Sequence, residues 1–205
     1  MSNPSIGARL GTAALATSAF LAGLAAPSHA LEFTKSGTTL TLSGRIVDGD
    51  ELRFKEMLDD PGAPTIATVR LDSGGGKIAP AGEISRLIRA RRLTTLIDGA
   101  RAKCASACTV IFAGGTQRLY INADMLSEGP MSKSNFVGLG FHEGNSPLAL
   151  AANHYSGQAT AKMVDYYYEM GIPSAKNLAS KAPPEQYYRI SGRTALATGI
   201  ATGTR

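Results

Sequence analysis

Leu40 and Leu42 alternate with Thr39, Thr41 and Ser43, the period-two pattern of a strand with one buried face, and this predicts a strand running to about Val47. Asp48-Gly49-Asp50 reads as a turn and helix N-cap, and Phe54, Met57 and Leu58 keep helical spacing until Pro61 stops it. The β-branched stretch from Thr65 to Leu71 predicts a second strand, which ends in Asp72-Ser73-Gly74-Gly75-Gly76. From about Ala81 to Arg92 the period is helical, with Ile84, Leu87 and Ile88 as the buried stripe. Arg86, Arg89 and Arg92 fall off that stripe and read as a solvated face rather than a phosphate-binding patch. Leu93 to Ile97 reads as a third strand, Ser106 to Ala113 as a short apolar helix closed by Gly114-Gly115, and Arg118 to Ile121 as a fourth strand. Asp124 to Asn135 is polar and reads as a surface loop, and Phe136 to Phe141 as a strand leading into His142. Asn145-Ser146-Pro147 has the form of a cap followed by Pro at the first helical position. It predicts a helix to about Met170, ended by Gly171 and Pro173, with Met163, Tyr166, Tyr167 and Met170 as its core or subunit-contact stripe. The tail from Ala195 to Arg205 reads as small and flexible. Strands alternating with helices predict an α/β domain of mostly parallel strands, with binding sites at strand C-terminal ends.

The chain has 205 residues, and its first thirty carry a different signal. A short stretch to Arg9 with one positive charge precedes an Ala- and Leu-rich apolar run, Pro27 breaks the run, and Ser28-His29-Ala30 presents small residues at the −3 and −1 positions. Residues 1–30 are read as a secretory signal peptide and 31–205 as one α/β domain, periplasmic or secreted, with no stable membrane span after cleavage. Gly11, Thr12, Thr17, Ser18 and Gly23 make the apolar run a poor permanent anchor. The formal net charge of +5 falls by one when Arg9 leaves, a balance too modest to argue for nucleic acid.

Candidate chemistry lies at two predicted strand ends. Glycines 74–76 let backbone N–H groups turn toward an anion, although the spacing matches neither a Walker loop nor a dinucleotide fingerprint, and a plain tight turn has the same composition. Cys104-Ala105-Ser106-Ala107-Cys108 places a serine at the start of a helix, where it serves as a cap or as a nucleophile with the next N–H half of an oxyanion hole. The two cysteines form a disulfide stapling this turn, a redox pair, or half of a metal site. No further cysteine or clustered histidine supplies the remaining ligands of a metal, and no metal or cofactor is expected. A bond between cysteines four apart on one regular helix would be strained.

The order of these pieces is distinctive: strand, Ser-Gly-Gly-Gly, helix, strand, Ala-Ser-Ala, helix, Gly-Gly, an Arg-containing strand, and a strand ending in Gly140-Phe141-His142. In this the chain resembles the proteolytic subunit of Clp protease, in the Clp protease/crotonase superfamily. It resembles more closely the exported bacterial relatives of that subunit with a Cys-x-Ser-Ala-Cys motif. The resemblance covers roughly Leu40 to His142, and again Arg193 to Thr202, which looks like the closing helix and strand of the superfamily.

The resemblance implies a Clp protease/crotonase-like spiral of βαβ units, a homo-oligomer, and a serine peptidase acting on a peptide or protein. Ser106 matches the nucleophile, His142 the general base, and the N–H groups of Gly75 and Ala107 the oxyanion hole. Residues Lys77 to Ala81 match the segment that pairs with an extended substrate. Two departures stand out. The loop over 124–135 lengthens the path to His142, and the late aspartate of the triad has no clear match where it is expected, near Ala182 to Pro184. Asp165, Glu169 and Glu185 are the acidic candidates from other registers, with Asp165 taken as the third catalytic residue, and Ser180 is a weaker orienting group. Lys103 and Lys133 are alternative bases, but neither stands in a matching place. An inactive binding or assembly protein on the same fold is the competing class, motivated by the missing carboxylate. Acyl-coenzyme A chemistry fits poorly with an export signal.

Overall fold

The computed structural model describes Met1 and residues 30–62, 64–145 and 155–205. The segment read as a signal peptide, the body of the Asn145-Ser146-Pro147 helix signal, and His154 therefore lie outside the described residues. Among the described residues no helix is long and apolar enough to cross a membrane.

The alternation at the start produces a hairpin. β1 (Glu32–Ser36) turns at Gly37 into β2 (Thr39–Ser43), antiparallel to it, and Leu40 and Leu42 are fully buried. β2 stops at Ser43, short of Val47, because Gly44 takes a φ of 100° and turns the chain out of the sheet. α1 (Asp50–Asp59) follows, and its Phe54 is fully buried. β3 (Thr68–Asp72), β4 (Thr94–Asp98) and β6 (Gln117–Ile121) then add in parallel, giving a five-stranded sheet in the order β1-β2-β3-β4-β6. The crossover between β3 and β4 is α2 (Ile78–Ala90), and the crossover between β4 and β6 contains α3 (Ala107–Ala113), whose seven residues are all buried.

A second sheet closes the other side of the site. β5 (Lys103–Ala105) pairs in parallel with β8 (Gly138–Phe141), and β9 (Gln186–Ile190) pairs antiparallel with both β8 and β7 (Gly129–Ser132). This corrects the reading of 124–135 as a plain surface loop: its middle is an edge strand. Gly129-Pro130 weighs against a strand by propensity, but β9 supplies the register, Gly129 opposite Arg189 and Ser132 opposite Gln186.

α4 runs from Gly157 to Glu169, with the Ser156 side chain accepting the Ala159 N–H at 3.2 Å. Ser156 is the cap of α4, and Asn145, where the expected helix starts, forms an isolated antiparallel bridge with Tyr155. Met163, Tyr166, Tyr167 and Met170 form the buried stripe of α4 and pack in the main core. A 3-10 turn (Pro173–Ala175) and α5 (Lys176–Ala179) lead to β9, and α6 (Gly192–Ala197) follows it. The arginine row of α2 is not a bare solvated face. Arg86 is bidentate to Glu169, and Arg89 donates to the carbonyls of Ala113 and Met170.

The tail is ordered, not flexible. Beyond α6 the chain runs beside β6, with Thr202 N–H donating to Arg118 O and Tyr120 N–H to Gly203 O. Arg118, 8% exposed, donates to the carbonyls of Ile200, Gly115 and Gly199 at 2.8, 2.9 and 3.0 Å. Burial draws its guanidinium pKa down, and the nearby Arg89 charge adds to this. The side chain does for residues 199–203 what apolar burial does elsewhere. Replacing Arg118 with Leu leaves three carbonyls without their donor, and chemical denaturation should show a loss of about 2–4 kcal/mol.

Candidate active site

Two strand ends come together where the sheets meet. Ser73, just past β3, donates its N–H to Lys103 O at 2.8 Å and accepts the Ala105 N–H at 3.0 Å, which stitches the β3 end to β5. The Ser73 hydroxyl donates to Gly44 O at 2.6 Å and accepts the Gly75 N–H at 3.1 Å. Gly75 has a φ of 97°, and a Cβ there would fall 2.7 Å from Ser106 Cβ and 2.6 Å from Ala105 O. The glycine loop is therefore more than a tight turn. It lies against the serine turn at a separation that only a residue without a side chain allows.

Ser106 itself is held in a strained conformation, with φ 55° and ψ −130°, sparsely populated for a residue with a Cβ and worth about 1–3 kcal/mol. Several contacts hold it there. Its N–H donates to Gly140 O at 2.9 Å, which ties it to β8. Its carbonyl accepts from the N–H and hydroxyl of Thr109 at 2.9 and 2.6 Å, and that hydroxyl meets the Tyr167 hydroxyl of α4 at 2.6 Å. Cys104 and Cys108 are joined by a disulfide that spans the serine, and both are fully buried. Cys104 lies in β5 and Cys108 in α3, so the expected strain of two cysteines on one helix does not arise.

Ser106 and His142 line one cleft of about 350 Å³, with Gly75 in its wall. His142 follows β8 directly and is 2% exposed, and neither ring nitrogen has a hydrogen-bond partner. Burial pushes its pKa down to about 4, and the charge of Lys133 contributes in the same direction, so the ring is neutral at ordinary pH. Its ring meets Tyr187 edge-on with centroids 5.1 Å apart. The Ala107 N–H opens α3, where the first amides have no acceptor within the helix, while the Gly75 N–H is engaged by Ser73. Of the two expected oxyanion donors, one is thus turned into its own loop.

The acidic candidates do not reach the imidazole. Asp165, the expected third catalytic residue, is exposed on α4 and is not among the residues lining the cleft. The face of α4 that packs inward is the Met163, Tyr166 and Tyr167 face, and Asp165 falls off it. Glu169 is held by Arg86, and Glu185 and Ser180 are exposed. The place where the resemblance puts the carboxylate does adjoin His142, since Glu143 N–H donates to Ala182 O at 2.9 Å. Its occupant, Ala182, has no group to offer.

Two residues set aside or missed in the sequence belong here. Lys133 lines the cleft because β7 folds back on β9 and delivers the next residue to the site. Burial lowers its pKa, against a smaller upward effect from Glu185. Its ammonium lies 4.9 Å from the Tyr187 ring centroid. Tyr187 is the residue that sequence reasoning missed. It donates its hydroxyl to Gly74 O at 3.1 Å and its ring meets both the His142 ring and the Lys133 ammonium. The Lys77 to Ala81 stretch cannot pair with an extended substrate as expected, because α2 begins at Ile78 and the Lys77 N–H is taken by Ile46 O.

Compared with protein-family models and with curated protein sequences, the chain matches none. Among solved structures it is similar to a serine-to-alanine mutant of the 1510-N membrane-bound stomatin-specific protease, at 16% identity and TM-score 0.53, covering 80% of this chain and 77% of that one. A lysine-to-alanine mutant of the same protease in complex with a substrate peptide gives 14% identity, TM-score 0.53, and coverage of 80% and 73%. The ClpP protease catalytic domain from Plasmodium falciparum gives 14% identity, TM-score 0.54, and coverage of 82% and 85%. The fold of this chain is the ClpP-like protease fold, a mixed α/β architecture whose solved examples include serine peptidases.

Proposed function

We propose that the protein is an exported serine hydrolase, a peptidase in which Ser106 attacks a carbonyl and His142 takes its proton. The observation that carries this reading is the strained, multiply braced Ser106 turn opening on a cleft shared with a neutral, unpartnered imidazole. A neutral ring is the form a general base needs, and no hydrogen bond has to be broken to free it. The tetrahedral oxyanion is received by the Ala107 N–H, and by the Gly75 N–H once it turns from Ser73. His142 then returns the proton to the leaving amine, and water completes deacylation by the same route. With no hydrogen-bond partner on either nitrogen, the imidazole is oriented by packing, including its edge-on contact with Tyr187, so turnover is slow. The disulfide supports export, since such bonds persist in oxidising compartments.

A second reading is favoured by Lys133, which shares the cleft and has its pKa lowered by burial: a Ser106–Lys133 pair in which the amine is the base. The two mechanisms separate by pH. His142 is deprotonated above about pH 4, so a histidine-based rate stays flat through neutrality and falls only toward that value. A lysine-based rate climbs through the alkaline range and is lost in Lys133→Ala.

Labelling with a fluorophosphonate probe is the direct test of the serine. Label should vanish in Ser106→Ala and fall sharply in His142→Ala. Absence of label in folded wild-type protein would replace the hydrolase with a binding protein on the same fold. Stability carries an independent signature of His142. Its folded pKa lies below the ordinary 6.5, so the unfolded chain binds the extra proton first. Stability should be full above about pH 6.5 and fall by roughly 3 kcal/mol as pH drops toward 4, and denaturation midpoints of His142→Gln should lack that slope.

A further inference from the structure

The cleft carries an unbalanced charge. Arg45 after β2, Lys103 at the start of β5 and Lys133 after β7 all line it, and no acidic side chain does. Six cations elsewhere on the described surface sit beside acids. Arg53, Lys55, Arg70, Lys77, Arg86 and Arg91 are each within ion-pair distance of a carboxylate. None of the three cleft cations forms such a pair among the described residues. Asp72 accepts the Lys103 backbone N–H at 3.2 Å, and Glu185, whose charge acts on Lys133, is exposed and does not line the cleft.

The three cations come from three separate segments and converge on one opening. Lys103 lies along the glycine loop, its Cε 3.9 Å from where a Cβ of Gly74 would be. Arg45 leaves the sheet at the Gly44 turn and is exposed beside the loop. Lys133 sits against Tyr187 on the other wall. Like charges gathered at a concave, partly dry surface repel one another and concentrate positive potential at the mouth. A ligand bearing carboxylates relieves that repulsion, whereas a neutral or basic one does not.

We propose that the cleft takes peptides with aspartate or glutamate side chains close to the bond that is cut. This rests on the reading of Ser106 as the nucleophile, because it is the position of Ser106 among these cations that makes them subsites. Each exposed pairing contributes up to about fivefold in affinity, and two or three together give roughly tenfold or more.

The test uses short acetylated, amidated peptides that differ only in carrying Glu, Gln or Lys within two residues of the central bond, and a Gln peptide with a free C-terminal carboxylate. Binding is measured by fluorescence anisotropy on Ser106→Ala protein, and cleavage on wild type. The Glu peptide should bind at least about tenfold more tightly than the Gln peptide at low salt, with the gap closing as salt screens it. In the Arg45→Glu/Lys103→Glu double variant the order should invert in favour of the Lys peptide, a result that general damage to the cleft cannot produce. Equal affinity for the Glu, Gln and Lys peptides, or a Glu preference that survives charge reversal, overturns the proposal. Tight binding of the free-carboxylate Gln peptide alone also overturns it and assigns the cations to a chain terminus. Cleavage without charge preference removes this proposal and leaves the nucleophile standing. Selective Glu binding without cleavage or fluorophosphonate labelling does the reverse.

Discussion

The pair of hydrogen bonds between Ser73 and the Lys103–Ala105 edge ties the end of β3 in one sheet to β5 in the other, and the cleft opens beside that joint. Once the β3 end is fixed to β5, the chain leaving β3 has to cross the front of the chain leaving β5. Only a glycine at position 75 makes the crossing close enough, since a Cβ would meet the Ser106 Cβ and the Ala105 carbonyl. The Ser106 conformation follows from the same joint. β5 pins its N-terminal side, the Gly140 carbonyl its amide, and the Thr109–Tyr167 pair its carbonyl, so the unfavourable φ is set by neighbours that are themselves buried. Strain of this kind persists where the surroundings over-determine it.

The electrostatics of the cleft are those of a site stripped of acids. His142 is buried with two unpaired nitrogens, a state that costs about 1–3 kcal/mol for each polar group left unsatisfied. A carboxylate at position 182 would satisfy one of them and pull the pKa up. Ala182 leaves the pKa low and the ring uncharged. Proximity of Lys133 works in the same direction. Burial is the first cause of both the neutral imidazole and the lowered Lys133 pKa, and no acidic side chain among the described cleft residues offsets it.

Much of this was legible in the chain. The alternation at Leu40 and Leu42, the β-branched run into Asp72, and the helical stripe of Ile84 and Ile88 gave the parallel sheet and its crossovers within a few residues. Ser106, His142, Gly75 and Ala107 stand out in the order of small motifs, and the fold brings Ser106, Gly75 and His142 to one cleft because strand ends converge in this architecture. What failed was non-local. β7 holds Gly129-Pro130, poor strand formers that pair only because β9 lies beside them, so Lys133 looked remote from Ser106. Tyr187 lay in a strand that had not been recognised. Ala195 to Arg205 reads as flexible because its residues are small, and its order comes from the burial of Ala195, Ile200 and Ala201 together with a buried arginine 82 residues earlier in the chain. Asp165 was an acid in need of a role, but the helix face that turns inward carries Met163 and Tyr166.

The same arginine has a consequence for when the domain can close. Arg118 sits in the middle strand of the sequence, yet two of its three carbonyl acceptors, at Gly199 and Ile200, arrive about eighty residues later. Until they do, a guanidinium stands where the core must form, and burying it unpaired is prohibitive. The β6 edge likewise waits for Gly203. The Arg118 side chain is satisfied only once residues 199–200 are in place. Contacts at such long sequence separation slow folding, so this edge of the sheet is among the last parts of the domain to close.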